Sequence, residues 1–346
     1  MNIIIFGISH KNTPIEVRER FSLTSTQQDL LLSELKNNPA IIEAFVFSTC
    51  NRVEVYAHVL DEGMDILPII RVIFLIKNIS FTQDLEQYFY RHNGKEAIKH
   101  LFKVATGLDS MVLGERQILG QVKAAFERAQ KFAMFGKGFN ILSNLAIRSG
   151  KKSQNETQIS AGGSSVSWAA ITKAEQVLGS LQDKSILIIG AGKMSDLAAA
   201  QIKNKGFKKL FLMNRTQSKA APLVEKYGGE VAAFCDIKEV LTEVDICICS
   251  VSAPHYILEK DTVIKVMALR KNRKILFIDI SMPRNINPNV SELTNVDLYA
   301  IDDLNEVVDA NMQIRQQAIV EVEQIVEDKV KEYYRKLNNK SSLILS

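Results

Sequence analysis

Cys50 stands in Ser48-Thr49-Cys50-Asn51-Arg52, a polar, cationic stretch directly after the apolar run Ile41 to Phe47. A thiol exposed beside an arginine at a strand exit can ionise below its ordinary pKa of about 8.5 and attack an acyl carbon. The competing reading is a packing thiol, which most isolated cysteines are. A second set of residues lies further along, where Ile186 to Ile189 runs into Gly190-Ala191-Gly192-Lys193-Met194-Ser195. Strand, glycine turn and helix start come in the order of a dinucleotide fold, whose backbone amides receive pyrophosphate. Gly190 permits the tight turn, Gly192 lets backbone approach phosphate, and Ser195 replaces a third glycine. The next strand ends in Asn214-Arg215-Thr216 rather than in the acid that holds a ribose 2′-hydroxyl. An arginine there pairs with a 2′-phosphate, which points to NADPH; the alternative is a solvated loop residue.

These groups need elements to position them. Asn2 to Phe6, Ile41 to Phe47 and Val53 to Leu60 read as strands, and Thr26 to Lys36 as a helix. A tight loop through Ser48 to Arg52 then joins two neighbouring strands and presents Cys50 at the sheet's rim. Thr82 to about Asn155 reads as mostly helical, punctuated by glycines, with a boundary in Ser149 to Thr157. A helix over Ser165 to Leu178 leads into Ser185 to Ile189. Strands then recur at Lys209 to Met213, Glu230 to Phe234, Val244 to Cys249, Lys274 to Asp279 and Asp297 to Ala300. That alternation predicts a parallel α/β sheet. Asp302 to Leu337 reads as one long helix without Gly or Pro. Its apolar positions Ile319, Val322, Val326, Val330, Tyr333 and Leu337 form a stripe that wants a partner surface.

The expected architecture is therefore α/β and α+β multidomain: an N-terminal α+β catalytic domain over 1–157, a Rossmann NADP-binding domain over 158–300, and a long helix with a short tail over 301–346. A hinge at Ser149 to Gly163, or at the long helix, would bring the domains together.

Composition narrows the classes. With 46% apolar and 24% charged residues in 346, the chain reads as an ordinary folding protein. It has no uninterrupted run of the roughly 18 apolar residues that a membrane span needs, and it starts without a basic secretory leader, so a cytoplasmic location and no membrane partner are expected. Four cysteines, Cys50, Cys235, Cys247 and Cys249, show neither a disulfide framework nor zinc spacing, so no metal is expected. Cys247 and Cys249 fall two apart on a strand and read as core, and Cys235 as another structural thiol. A net charge of +4 leaves nucleic-acid binding to local patches.

Longer strings carry more. Gly7-Ile8-Ser9-His10-Lys11 with Thr13-Pro14, Thr49-Cys50-Asn51-Arg52-Val53-Glu54-Val55-Tyr56, Gly107-Leu108-Asp109-Ser110-Met111-Val112-Leu113-Gly114-Glu115 and Gln117-Ile118-Leu119-Gly120-Gln121 occur in that order. The glycine turn, Asn214-Arg215-Thr216, Pro283-Arg284 and Asp302-Asp303-Leu304 follow. Over essentially its whole length the chain resembles the glutamyl-tRNA reductase family.

The resemblance implies that Cys50 takes the glutamyl group from its transfer RNA as a thioester, and that hydride from NADPH reduces it to glutamate-1-semialdehyde for tetrapyrrole biosynthesis. It gives Arg52 the substrate α-carboxylate and Glu115 its ammonium. Thr49, Asn51, Ser110, Gln117 and Gln121 become pocket residues, and His100 an acid/base group. Arg116 stands where the family has a small residue or proline, and joins the substrate-binding candidates through its reach to the pocket or to RNA phosphate. The family also implies a homodimer and a handover to glutamate-1-semialdehyde aminomutase; the usual C-terminal dimerisation domain has no counterpart here, which leaves the apolar stripe of the long helix to pair with a second copy as a homodimer or to bind another protein. Two other readings stay open: a small-molecule NADP dehydrogenase of shikimate type, which leaves Cys50 unexplained, and a non-catalytic regulatory homologue.

Overall fold

The computed structural model describes residues 1–160, 165–251, 253–304 and 312–344, with the side chains of the last segment described over 316–338. It divides into two compact units, Met1–Ser164 with Met312–Ser346, and Ser165–Asn311.

The first unit opens with β1 (Asn2–Ser9), α1 (Ile15–Phe21), α2 (Ser25–Asn37), β2 (Ile41–Ser48) and β3 (Arg52–Val59). It continues through α3 (Leu67–Ile76), α4 (Gln83–Glu86), β4 (Tyr90–Asn93), α5 (Gly94–Ala105), α6 (Gln117–Lys131) and α7 (Lys137–Glu156). The sheet runs β2-β3-β1-β4 and is antiparallel throughout. β2 and β3 are joined by the tight loop foreseen around Cys50, closed by the Thr49 N–H donating to the Arg52 carbonyl at 2.9 Å. The reading of 82–155 as helical missed β4. Its sequence Tyr-Arg-His-Asn has no apolar alternation, because it is a short edge strand whose partner β1 supplies the apolar surface.

The second unit holds α8 (Val166–Leu178), β5 (Ser185–Ile189), α9 (Lys193–Lys205), β6 (Lys209–Met213), α10 (Gln217–Tyr227), β7 (Glu230–Ala232), α11 (Ile237–Glu243), β8 (Ile246–Cys249), α12 (Lys260–Leu269), β9 (Ile275–Asp279) and β10 (Val296–Ala300). All six strands are parallel, in the order β10-β9-β8-β5-β6-β7. This is the doubly wound order of dinucleotide folds, with the chain reversing direction between β5 and β8. The fully buried runs of β5, β8 and β9 are the continuous apolar stretches that a sheet covered on both faces requires. Cys247 and Cys249 lie in this core as expected. Cys235 does not: it is exposed beside Asp236, in the connection after β7, and holds nothing together.

The last helix, α13, is described over Met312–Ile344. Ile301–Leu304 is a 3-10 turn, and 305–311, where the helix was foreseen to run, lie outside the described residues, as do 161–164 at the foreseen hinge and the end of the tail, 345–346. α13 is not a separate element, because its stripe finds its partner surface within the first unit. Val322, Val326, Val330 and Tyr333 are buried; the last three join the N-terminal core, while Val322 packs with Ala318 and Ile159. α13 lies against α5 and α7. Each such side chain contributes roughly 2 kcal/mol when fully buried. A homodimer through this stripe would have to undo that packing.

Candidate active site and nucleotide site

Cys50 is half-buried at the tip of the β2–β3 hairpin. Arg18 of α1, itself buried, donates through Nε to the Cys50 carbonyl at 3.2 Å and through Nη1 to the Thr13 carbonyl at 3.0 Å. The Thr49 hydroxyl accepts from the Asn51 N–H at 3.1 Å, and the His10 N–H donates to the Asn51 carbonyl at 2.8 Å. The loop carrying the thiol is thus clamped from both sides.

The thiol's setting corrects the expectation of an exposed, electropositive nucleophile. Burial pushes the Cys50 thiol up to about 12, the Glu115 carboxylate adds to the rise, and the cations of Arg18 and Arg52 only partly oppose it.

Behind it lies a buried charge network. The β3 alternation puts Arg52, Glu54 and Tyr56 on one face. Arg52 donates through Nη1 to Glu54 Oε1 at 2.8 Å and through Nη2 to Asp109 Oδ1 at 2.9 Å, and also bonds the Asp109 carbonyl. Its fork, expected to meet a substrate carboxylate, is filled by protein. Tyr56 donates to Glu54 Oε2 at 2.7 Å, Tyr90 of β4 donates to Glu54 Oε1, and His100 Nε2 of α5 lies 2.9 Å from that same oxygen. Burial alone would raise the Glu54 carboxyl; the Arg52 cation and His100 instead hold it well below the usual range. Asp109 is likewise held below its ordinary value against burial by Arg52, and Lys11 pairs with its other oxygen. His10 is lowered to about 4, first by burial and then by Arg52, and stays neutral.

Three buried polar atoms around this network have no hydrogen-bond partner among the described residues: His10 Nδ1, Asn51 Oδ1 and Ser110 Oγ. Groups of this kind cost free energy unless a ligand or an ordered water satisfies them. Glu115 is buried as well. The chain enters it through Gly114, which has φ +72° and where a Cβ would sit 2.1 Å from the Ile159 carbonyl, so only glycine fits. The structure therefore brings Thr49, Asn51, Arg52, His100, Ser110 and Glu115 together with Cys50. It does not bring in Gln121, which is exposed because α6 buries Ile118, Leu119 and Val122 on its opposite face, and Arg116 is also exposed. Gln117, at the start of α6, is half-buried.

The reading of the sequence assigned no role to Glu54, Asp109, Tyr90, Arg18 or His10. A signal for Glu54 was present: an acid inside the apolar alternation of β3 has to be buried with a cation.

In the second unit the glycine turn ends β5 with the Gly190 N–H donating to the Met213 carbonyl at 2.7 Å. Gly190 has φ +121°, and a Cβ there would lie 2.3 Å from the Ser250 carbonyl, so the exits of β5 and β8 close on each other. Around Gly192, the N-cap of α9, a Cβ would meet nothing within 4 Å. That open approach beside the free amides of a 13-residue helix suits a pyrophosphate. Lys193 is exposed, Ala191 and Met194 half-buried, and Ser195 is buried with an unpartnered Oγ against the strand. Asn214 donates to the Thr216 carbonyl at 2.9 Å, and Arg215 and Thr216 are exposed at the end of β6. Among the described residues Arg215 pairs with no carboxylate, so its fork is available. The set fits a dinucleotide. Among the described residues no cluster of His, Cys, Asp or Glu is placed to hold a metal, and no helix is long and apolar enough to cross a membrane.

Comparison with known proteins bears on both units. Residues 6–157 match the model of the glutamyl-tRNAGlu reductase N-terminal domain, and residues 172–307 that of shikimate / quinate 5-dehydrogenase. The chain is 39% identical, over 99% of its length, to a glutamyl-tRNA reductase of Thermodesulfovibrio yellowstonii, 81% of which it covers. It belongs to the glutamyl-tRNA reductase family. Another family member, from Geobacter sulfurreducens, is 38% identical over 97% of the chain and 77% of the relative. The solved glutamyl-tRNA reductase of Methanopyrus kandleri superposes with a TM-score of 0.54 at 31% identity, covering 97% of this chain and 80% of that one. In this chain the antiparallel unit carries Cys50, and the parallel unit has a nicotinamide-dinucleotide-binding fold.

Proposed function

We propose that the chain reduces glutamyl-tRNA to glutamate-1-semialdehyde, the entry step of tetrapyrrole biosynthesis, through a thioester on Cys50. The carrying observation is Cys50 at a clamped hairpin tip beside the unpartnered Asn51 Oδ1 and Ser110 Oγ and the buried Glu115. Cys50 Sγ attacks the ester carbonyl, the C–O bond to the ribose breaks, and the RNA hydroxyl leaves with a proton. NADPH, when bound, supplies the hydride to the thioester carbonyl. The C–S bond then breaks, giving the aldehyde, and the thiolate takes up a proton. Splitting the reduction this way replaces a poor electrophile by a better one.

The charge arrangement suggests how the thiol is activated. Glu115 helps to keep Cys50 protonated; a substrate ammonium paired with Glu115 cancels that charge and favours the thiolate where the acyl group is bound. Asn51 and Ser110 offer their free atoms to the glutamyl group. Arg52 takes the α-carboxylate by exchanging it for Asp109, which Lys11 retains. His100, held by Glu54, serves the leaving oxygen. Gly192 and Lys193 at the start of α9 hold pyrophosphate, and Arg215 holds the 2′-phosphate that makes NADPH the cofactor. An aminomutase that receives the reactive aldehyde belongs to the same reading.

NADPH oxidation with glutamyl-tRNA, with Cys50→Ser and free glutamate as comparisons, tests the proposal. Turnover that needs both the charged RNA and Cys50 is expected; turnover by Cys50→Ser, or none by folded, NADPH-binding protein, would overturn it. The match of the second unit to shikimate / quinate 5-dehydrogenase favours one rival, a dehydrogenase of small alcohols, which predicts oxidation of shikimate by both proteins.

A further inference from the structure

Residues 116–156 carry eight Lys and Arg against two Glu, a net charge of +6 in a chain of +4, so the remainder is net negative. Several of these cations are neutralised by the protein: Arg128 pairs with Asp29 at 2.5 Å, Arg148 with Glu332 at 3.3 Å and Lys152 with Glu156 at 3.8 Å. Arg116, Lys123, Lys131 and Lys151 have no carboxylate partner among the described residues. Arg116, Gly120, Lys123, Glu127 and Lys131 recur every three or four residues, which aligns them along the side of α6 away from its buried face. Lys151 is one turn before Gln154 of α7, whose amide donates to the Arg116 carbonyl at 3.2 Å, so it flanks the start of that stripe. The stripe begins next to Glu115, which acts on the Cys50 thiol.

Gly120 supplies an independent observation. It lies inside a 15-residue helix, is exposed, and a Cβ there would meet nothing within 4 Å. Glycine in a helix interior costs about 1 kcal/mol relative to alanine, and no contact among the described residues requires it. A bare backbone between Arg116 and Lys123, on a stripe of three cations and the single anion Glu127, suits an anionic partner that comes close.

We propose that this outer face of α6, with Lys151 of α7, docks the sugar-phosphate backbone of the acceptor end of glutamyl-tRNA and leads its 3′ terminus to Cys50. The inference rests on the proposed function for the identity of the RNA. From Arg116 to Lys131 the stripe runs ~22 Å, and a duplex carries a charge every ~1.7 Å of its axis, so a stem laid along it meets several phosphates. Contacts of this kind add affinity without sequence preference and weaken with salt.

The test uses the full chain, with KM and kcat on glutamyl-tRNA measured between low and moderate salt and binding of uncharged tRNA read by gel shift. Lys123→Glu with Lys131→Glu is expected to raise KM and the RNA dissociation constant by on the order of tenfold, with a shallower salt dependence, and to leave kcat and NADPH affinity in place. Lys238→Glu, a charge reversal at an exposed position on α11, is expected to alter none of these. Gly120→Ala separates docking from folding, since it should raise the melting temperature while weakening RNA binding. Unchanged RNA affinity and salt slope in the double variant would overturn the proposal, as would a Gly120→Ala protein that is more stable and binds RNA as before. Gel-shift binding is scored whether or not the chain turns over, so failure of this surface and failure of the proposed reaction remain distinguishable.

Discussion

His100 Nε2 lies 2.9 Å from Glu54 Oε1, and the carboxylate can only accept, so the ring proton sits on Nε2 and points away from solvent. Glu54 is fully buried and also binds Arg52, Tyr56 and Tyr90. One carboxylate thereby fixes the tautomer of the candidate acid/base group and the position of the arginine next to the nucleophile. Any proton that His100 passes to substrate leaves from Nδ1 or breaks this bond.

Glu54→Gln keeps the shape and removes the charge that balances Arg52, so a loss of about 3 kcal/mol in unfolding free energy at neutral pH is expected, in the range for breaking a buried pair. The folded carboxyl is depressed, so its stabilisation is complete above the unfolded value near 4.5 and is lost as pH falls below it. Urea unfolding at pH 7 and pH 4 should show the gap between native and variant narrowing at the lower pH. A gap independent of pH would mean that the charge of Glu54 contributes nothing.

Thiol reactivity offers a second check. In a Cys235→Ser background, which removes the exposed thiol, alkylation of Cys50 by iodoacetamide should be slow at pH 8 and still rising at pH 10, because burial and Glu115 hold the thiol near 12. Glu115→Gln should speed labelling severalfold at fixed pH. A profile that levels off near pH 8.5 in the native chain would show an ordinary surface thiol instead.

Much of this arrangement was legible in the sequence, for reasons that can be named. The strand-turn-helix order at Gly190 and the hairpin at Cys50 follow from local patterns, because glycine and apolar runs act on their immediate neighbours. Burial of Val322, Val326, Val330 and Tyr333 followed from helical spacing, although the surface that takes them did not, since α5 and α7 lie far away in sequence. Asp109 shows the limit: in the sequence it is one polar residue in a loop, and only the fold brings it 2.9 Å from Arg52 and changes what that arginine can do unaided. The same holds for the Cys50 thiol, whose neighbours in sequence are polar but whose neighbours in space include the Glu115 carboxylate, which raises it.

Arg215 is exposed at the end of β6 without a carboxylate partner, so Arg215→Ala should weaken NADPH binding by roughly 10- to 100-fold, the value of a charge-assisted contact of about 1.5–3 kcal/mol. NADH binding should stay within about twofold on the same scale. Fluorescence titration of both nucleotides decides it: equal losses for the two would place Arg215 elsewhere than at the 2′-phosphate.

The far side of the nucleotide crevice depends on a buried network after β8 and β9. Asp279 accepts the N–H groups of Ser281, Asn285 and Ile286 at 3.0, 2.7 and 2.8 Å. The Asn285 amide donates to the carbonyls of Ala253 and His255 at 2.9 and 3.0 Å, and the Val251 N–H donates to the Ser281 hydroxyl at 3.2 Å. The two loops are therefore tied to each other beside the Ser250 backbone that meets Gly190, where a parallel sheet binds ligands outside its strand ends. Asn285→Ala unties the first loop and leaves the α9 start and Arg215 untouched. NADPH affinity should fall severalfold, while adenosine 2′,5′-bisphosphate, which lacks the nicotinamide half, should bind as in the native chain. If both ligands weakened together, Asn285 would be supporting the whole unit, and a matching fall in melting temperature would show it.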